Sequence, residues 1–178
     1  NFEIICINDN SPDTCAEILR RLSNEDSRLN IITNNTNRGA GISRNIGLQK
    51  ARGKYLIFFD ADDFCEKGLL QNACKLCEEN RLDILIYDYY TYNNCSGEKV
   101  ERHMPLVFQQ MLGDKCVFSN KVKESFSLQI CTSSSWRKMY NRQFVIQNHI
   151  MFQDISSAND VLFNQLAGMC AKRVGYSN

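Results

Sequence analysis

Only two prolines occur in the 178 residues, no apolar run lasts more than a handful of positions, and neither sign of charge prevails. The shortage of proline, with no low-complexity tract, leaves no internal linker, so a single domain over residues 1–178 is expected. The short apolar runs, of which Tyr55 to Phe59 is typical, exclude a bilayer-crossing helix, which needs about 18 or more consecutive apolar residues. With 21 Lys+Arg against 20 Asp+Glu, the formal net charge of +1 excludes an acidic tail and a generalised nucleic-acid binder. Any anionic partner must be held locally, by a few placed residues. The Lys/Arg pairs are expected to be ordinary solvated faces that do not by themselves support membrane association; the expected location is cytoplasmic, at most peripheral at the inner face of the membrane. Histidine is equally scarce, and His103 and His149 have no zinc-site spacing.

Cysteine, by contrast, is frequent. Nine is an odd number, and the residues run from Cys6 to Cys170 without the dense spacing of a secreted disulfide scaffold, which favours a reducing compartment. Cys74-Lys75-Leu76-Cys77 is the one pair with metal or redox spacing. No second such pair follows, and Cys74 and Cys77 continue the stripe Leu69, Leu70, Ala73, so they are expected on the buried face of a helix. A hydrophobic content of 43% suits one globular domain burying about 70% of its unfolded surface.

The first half alternates strand-like and helix-like segments. Ile4 to Ile7 is a continuous apolar run, as in a strand buried on both faces. Ser11-Pro12 predicts an N-cap and a first helical position, followed by Cys15, Ile18, Leu19 and Leu22 at helical spacing. A strand over Leu29 to Thr33, a loop over Asn34 to Gly41 and a helix to about Ala51 come next. Tyr55 to Phe59 and Leu82 to Tyr87 predict strands on either side of a helix over Glu66 to Asn80. This β-α-β-α-β-α-β order predicts an α/β fold with a mostly parallel sheet covered by helices. Beyond Asp88 the regularity weakens. Tyr89 to Met104 predicts a hairpin or an excursion with a turn at Asn93 to Gly97, and Trp136 to Gln147 a short helix-like or mixed segment. A last helix over Asp160 to Lys172, with Leu162, Leu166 and Met169 or Cys170 as its buried stripe, leads into a final strand.

Three segments carry chemistry. Phe58-Phe59-Asp60-Ala61-Asp62-Asp63 puts carboxylates at the end of a buried strand, where open α/β sheets bind ligands. Clustered carboxylates repel, and a hard divalent cation shared with phosphate oxygens offsets this; the alternative is that Asp62 or Asp63 caps the following helix. Ile7-Asn8-Asp9-Asn10-Ser11-Pro12-Asp13 ends the first strand and opens on the same edge. Asn37-Arg38-Gly39-Ala40-Gly41-Ile42-Ser43-Arg44-Asn45-Ile46-Gly47 places glycines before a helix N-terminus with an arginine in its first turn, a phosphate-friendly combination. Together they describe a metal–nucleotide diphosphate site.

In joint order and spacing these segments resemble the family 2 inverting glycosyltransferases, whose motifs are usually written V-D-D-G-S-x-D, N-x-G-x-x-x-A-R-N-x-G and G-x-Y-[IL]-x-F-[LV]-D-x-D-D. The resemblance covers residues 1 to about 90 and resumes at Trp136-Arg137-Lys138-Met139-Tyr140 and Asn159-Asp160-Val161-Leu162-Phe163. It implies a GT-A (Rossmann-like) fold, with residues 1–90 as the nucleotide-sugar-binding half and 91–178 as the acceptor-side half. It implies that Asp9 contacts the nucleotide base, typically uracil, that Asp60 is associated with the ribose, and that Arg44 lies close to the nucleotide and its phosphates. It further implies that Asp62 coordinates Mn²⁺ or Mg²⁺, with Asp63 a near neighbour, and that Asp160 is the general base of a Glu-Asp motif in which Asn159 replaces Glu. Trp136 and, more weakly, Asp88 fall on the acceptor side. The implied reaction is inverting transfer of a sugar from a nucleoside-diphosphate sugar, UDP-linked in the typical case, to a hydroxyl of a saccharide or lipid-linked saccharide, in bacterial surface polysaccharide synthesis.

The chain opens at Asn1 with no Met and no basic-then-apolar leader, and is expected to be a fragment. The family's first strand and helix would precede it, and their loss would leave a gap beside Ile4 to Ile7 and weak or no sugar-nucleotide binding. Two other functions compete. The strand-ending D-x-D also suits a haloacid-dehalogenase-type phosphatase, although Phe64 stands where that family has Thr or Val, and the Arg44 segment stays unexplained. A non-catalytic nucleotide-binding remnant of the same fold is the other. Without the resemblance, Asp160 is simply a first-turn aspartate at a helix dipole; Asp83 and Asp88 are solvated loop residues, and Tyr87, Tyr89, Tyr90 and Tyr92 an alternating strand.

Overall fold

The computed structural model describes residues 1–103, the backbone of 117–119, and 134–177. The elements run β1 (Ile4–Asn8), α1 (Cys15–Glu25), β2 (Leu29–Thr33), α2 (Gly39–Lys50), β3 (Tyr55–Ile57), α3 (Leu69–Asn80), β4 (Ile84–Tyr87), β5 (Tyr89–Tyr92), β6 (Lys99–Arg102), β7 (Val117–Ser119), β8 (Lys138–Asn141), α4 (Arg142–Gln147), α5 (Val161–Cys170) and β9 (Arg173–Ser177). The predicted alternation through β4 is therefore present, although β3 and β4 are shorter than the apolar runs that announced them.

The sheet is more mixed than expected. β1 pairs with β2 in a parallel two-stranded sheet, and a separate five-stranded sheet has the order β3-β8-β4-β9-β7. β8 is antiparallel to both β3 and β4, β9 is parallel to β4, and β7 is antiparallel to β9. The strand at the middle of the first three, β8, lies in the stretch expected to be helix-like or mixed; Lys-Met-Tyr-Asn shows no apolar run, because one of its buried members is a lysine. Among the described residues no ladder joins β1 to β3.

Alternation along the central strands sorts the core onto two faces. Ile84 and Ile86 of β4 and Tyr140 of β8 point to a cluster with Leu48, Leu56, Phe144, Val145, Phe152, Phe163, Ala167 and Val174, under α2, α4 and α5. Leu85 and Met139, paired in register, point the other way to Ala73, Cys77 and Leu82, under α3. Cys77 thus takes the core position expected of it; burial above all, with the nearby Cys74 and Glu78, pushes its thiol up to about 12, so it is inert at neutral pH. Every described cysteine is free.

Four local expectations are corrected. The first helix starts at Cys15 and not at Ser11-Pro12: the Asn8 side chain takes the Ser11 amide at 3.0 Å and Asp13 takes the Cys15 amide at 3.0 Å, which delays the first turn. β1 is not buried on both faces, since Ile4 is 40% exposed and α1 has no buried residue. In α5 the buried stripe is Phe163, Asn164, Ala167 and Gly168, whereas Leu162 and Met169 are exposed. Phe163 stacks on Phe152 at 4.0 Å, and small residues one turn further on let the helix approach the sheet. Asp83 is a clamp and not a solvated acid, its Oδ2 accepting from the amides of Lys172 and Arg173 at 2.7 and 3.0 Å. The expected hairpin is present as β5–β6, antiparallel, with Gly97 at φ +72° in its turn; Met104, its expected end, lies outside the described residues.

Candidate active site

The loop after β1 and the start of α2 form one unit. Gly39 has φ +82°, a conformation that costs a glycine little, and it turns the chain into α2. Asp9 receives the free amides there. Its Oδ1 accepts from Arg38 N at 2.9 Å and Asn34 Nδ2 at 2.7 Å, and its Oδ2 from Gly39 N at 2.7 Å. Desolvation alone would raise this carboxyl, but the bonds from Asn34, Arg38, Gly39 and Ser43 outweigh it and hold Asp9 below the ordinary range. Asp9 is therefore the anchor of the α2 N-terminus, a role its motif position did not announce.

One face of α2 then docks a distant segment. A Cβ at Gly41 would collide with the Gln153 carbonyl. Asn45, buried, pairs with the backbone of Phe152 as a strand would, giving Nδ2–H to its carbonyl and accepting its amide, both at 2.9 Å. Leu48 completes the face in the core. Positions 41, 45 and 48 share one side of a helix, so the spacing within the glycine-rich motif serves the docking of residues 152–159. Helical periodicity marks that face, but its partner is invisible in sequence.

Arg44 lies on the same side. Its guanidinium donates through Nη1 to Asn159 Oδ1 at 2.7 Å, and through Nη2 it makes a short ion pair with Asp60. It also stands over the Phe152 ring at 5.5 Å. The fork joins the acidic strand end after β3 to the residue just before Asp160. Asn159, the departure from the Glu-Asp pattern, is buried and keeps an acceptor oxygen where Arg44 needs one.

The turn after β3 is closed by Asp63 N–H to the Asp60 carbonyl at 3.1 Å. Partial desolvation pushes the Asp63 carboxyl up; the hydrogen bond from the Asp60 amide opposes this, and the charges of Asp60 and Asp62 add to the rise. Asp62 is exposed, and among the described residues no hydrogen bond or ion pair engages it. Neither residue caps α3, whose N-cap is Gly68. Among the described residues no three His, Cys, Asp or Glu side chains form a ready-made metal cage. The donor set nevertheless fits a hard cation: Asp62 offers unengaged oxygens beside the Asp63 carboxyl, and Mg²⁺-type ions take one or two carboxylates and complete their shell with substrate phosphates.

A second group of predicted residues gathers around Trp136. Asp160 occupies the N-cap position of α5, but its side chain does not cap the helix. Instead Oδ2 accepts from Ser135 N at 3.4 Å, a long contact. The next residue, Trp136, gives its carbonyl to Tyr87 Oη at 2.7 Å and its ring to Tyr89, edge to face at 4.7 Å. Asp88 lies between those tyrosines and pairs with His103 Nδ1 at 2.6 Å, an ion partner that sequence spacing did not reveal. Behind this group, buried Lys138 donates to Ser134 O at 2.6 Å and Asn164 Oδ1 at 3.0 Å, and Asn164 returns Nδ2–H to the Asp160 carbonyl at 2.8 Å. Asp160 is thus held from both sides of its peptide, and the string Asp60–Arg44–Asn159–Asp160 connects the two groups.

The glycosyl transferase family 2 model matches residues 1–152. The uncharacterised glycosyltransferase EpsJ of Bacillus subtilis (strain 168) is 29% identical over 98% of this chain and 49% of its own length. The poly(ribitol-phosphate) beta-N-acetylglucosaminyltransferase TarS of Staphylococcus aureus (strain Mu50) is 27% identical over 97% of this chain and 28% of its own. The crystal structure of S. aureus TarS 1–349 in complex with UDP superposes with a TM-score of 0.77 at 26% identity, covering 99% of this chain and 48% of that one. The chain spans about half the length of EpsJ, and no described helix is long and apolar enough to cross a membrane. Its mixed α/β architecture is the GT-A type, and the chain belongs to glycosyl transferase family 2.

Proposed function

We propose that this chain is the catalytic part of a glycosyltransferase that moves a sugar from a UDP-sugar to a hydroxyl of a saccharide or lipid-linked saccharide, with inversion, in bacterial surface polysaccharide assembly at the inner face of the membrane. The observation that carries it is the Arg44 fork between Asp60 and Asn159, which ties the strand end expected to hold the nucleotide to the residue just before the expected base, Asp160. The relatives support the nucleotide, since TarS is crystallised with UDP and with UDP-GlcNAc.

In this reading residues 1–90 supply most of the donor side and residues 91–178 most of the acceptor side. Arg44 is a fixed cation for phosphate oxygens. Asp9, whose oxygens are largely spent on α2, uses a remaining lone pair on the base. Asp62, with Asp63 beside it, would hold Mn²⁺ or Mg²⁺. When bound, that ion supplies charge stabilisation for a departing diphosphate. Asp160 accepts the proton of the acceptor hydroxyl as its oxygen attacks the anomeric carbon. The Ser135 amide contacts Oδ2, and Oδ1 has no partner among the described residues, which supports this role. A carboxylate is too weak a base for prior deprotonation at neutral pH, so the proton moves within the transition state. Trp136 and Asp88 border the acceptor.

The test is nucleotide release by the full-length protein with Mn²⁺ and a panel of UDP-, GDP- and dTDP-sugars. Release from a UDP-sugar that is lost in both Asp62→Ala and Asp160→Asn, with an inverted anomer in the product, is the expected result. Phosphate release from a monoester, or no release with any donor, overturns it.

A further inference from the structure

Lys138 stands where the core would accept an apolar side chain. It lies on β8 in register with Ile86 of β4 and is 1% exposed. By strand alternation it points to the same face as Tyr140, the face covered by α5. Burying a lysine is costly, and exchange of buried ionic groups for well-packed apolar residues is often neutral or stabilising, so stability alone does not account for this side chain. Its bonds do. Nζ donates to Ser134 O at 2.6 Å and to Asn164 Oδ1 at 3.0 Å. Each of those oxygens belongs to an amide whose N–H is turned to Asp160. The Ser134 carbonyl and the Ser135 N–H are two ends of one peptide unit, and that N–H meets Asp160 Oδ2 at 3.4 Å. In the Asn164 side chain, Oδ1 is fixed by two donors, Lys138 Nζ and, at 2.7 Å, Tyr140 Oη. Its Nδ2–H therefore faces the Asp160 carbonyl, 2.8 Å away.

We propose that Lys138 is a positioning residue for the base: by holding the oxygens of the Ser134–Ser135 peptide and of the Asn164 amide, it aims both N–H groups at Asp160 and fixes the direction of its carboxylate. The role rests on the transferase reading, in which Asp160 takes the acceptor proton. A donor at an amide oxygen polarises the amide and strengthens the bond made by its N–H, so each link gains from the other. The two links also grip Asp160 at different points, the side-chain Oδ2 and the main-chain carbonyl, and so tie both its carboxylate and its backbone to one lysine. The bond from Ser135 is the long one, and hydrogen bonds of this kind tighten when substrate fills a site. Lys138 acts through the two amides and not on the substrate.

The test compares Lys138→Met and Asn164→Asp with the parent in the full-length protein. UDP–Mn²⁺ affinity, kcat and KM for the UDP-sugar, and the amide resonance of Ser135 in ¹⁵N-labelled protein are measured. Lys138→Met keeps the length of the side chain and removes its donors; Asn164→Asp keeps an oxygen for Lys138 and Tyr140 and removes the N–H given to Asp160. The expected result is a fall in kcat of about tenfold or more in each, with donor KM and UDP–Mn²⁺ affinity within about twofold of the parent, because transition-state geometry is lost and ground-state binding is not. The Ser135 amide should move upfield in Lys138→Met and also in Asp160→Asn, where its acceptor becomes neutral. An unchanged kcat in either variant that still binds UDP–Mn²⁺, or a fall matched by equal loss of UDP–Mn²⁺ affinity in both, overturns the positioning role. If the parent transfers no sugar while the Ser135 amide still moves in Lys138→Met, the transferase reading falls and the coupling of Lys138 to Asp160 stands.

Discussion

Arg44 reaches Asn159 across 115 positions of sequence, Nη1 to Oδ1 at 2.7 Å, and the partly buried guanidinium has no slack in that direction because its other nitrogen is held by Asp60. Asn159→Leu removes the acceptor and leaves a desolvated donor. The expected cost is about 1–3 kcal/mol in urea unfolding. Asn159→Glu should instead retain most of the stability, since it restores an acceptor for Arg44. Equal loss in both variants would show that packing at position 159, and not the bond to Arg44, governs the segment.

Gly41 makes a different kind of contact with the same segment. Any side chain there meets the Gln153 carbonyl, a backbone atom that cannot rotate away. Gly41→Ala is expected to destabilise by about 1–3 kcal/mol through overpacking, despite alanine's better helix propensity. Gly47, whose nearest neighbour is the flexible Ile7 side chain at 3.9 Å, serves as control: Gly47→Ala should be neutral or stabilising.

The Asp9 carboxyl lies below its ordinary value when folded, so the unfolded chain binds the proton more readily. Its contribution to stability is complete above the unfolded value, about 3.9, and is lost as pH falls through the lower folded one. Asp9→Asn should therefore be less stable than the parent at neutral pH, with the gap narrowing as the solution is acidified. A gap that is constant with pH would mean that the amide caps α2 as well as the carboxylate does.

His103 moves the opposite way. The bond to Asp88 raises it first, desolvation opposes this, and the charges of Asp88 and Glu101 add to the rise, so the folded chain binds this proton more tightly. The resulting stabilisation of the hairpin is complete below the unfolded value, about 6.5, and disappears as pH rises through the folded value. An NMR titration of the His103 ring should show a midpoint above the ordinary histidine value, about 6.5, in the parent and a fall in Asp88→Asn. An unchanged midpoint in the variant would assign the shift to Glu101.

The first four strands and three helices were legible because buried strands and amphipathic helices write their period into the chain, and the acidic and glycine-rich motifs lie within single segments. β8 was not legible, since a central strand carrying a buried lysine has no apolar signature. The α5 stripe was misplaced by a rotation about the helix axis: Leu162 and Met169 are more apolar than Asn164 and Gly168, but the sheet selected the face with a stacking Phe163 and small residues beside it. Asp9, Arg44, Asp60, Asp62, Trp136, Asp88 and Asp160 are the residues the motifs single out as candidates. What each touches is not written in the motifs.

Sequence by itself determined the family, the order of the N-terminal elements and which side chains carry charge, because these depend on residues within a few positions of one another. Only the tertiary structure decided that Asp9 anchors α2, that Arg44 spans Asp60 and Asn159, and that Tyr90 and Tyr92 close on Phe64. Such contacts form when the sheet register and the packing of helices bring distant segments within hydrogen-bond or ring-contact range, and no local pattern of residues encodes that distance.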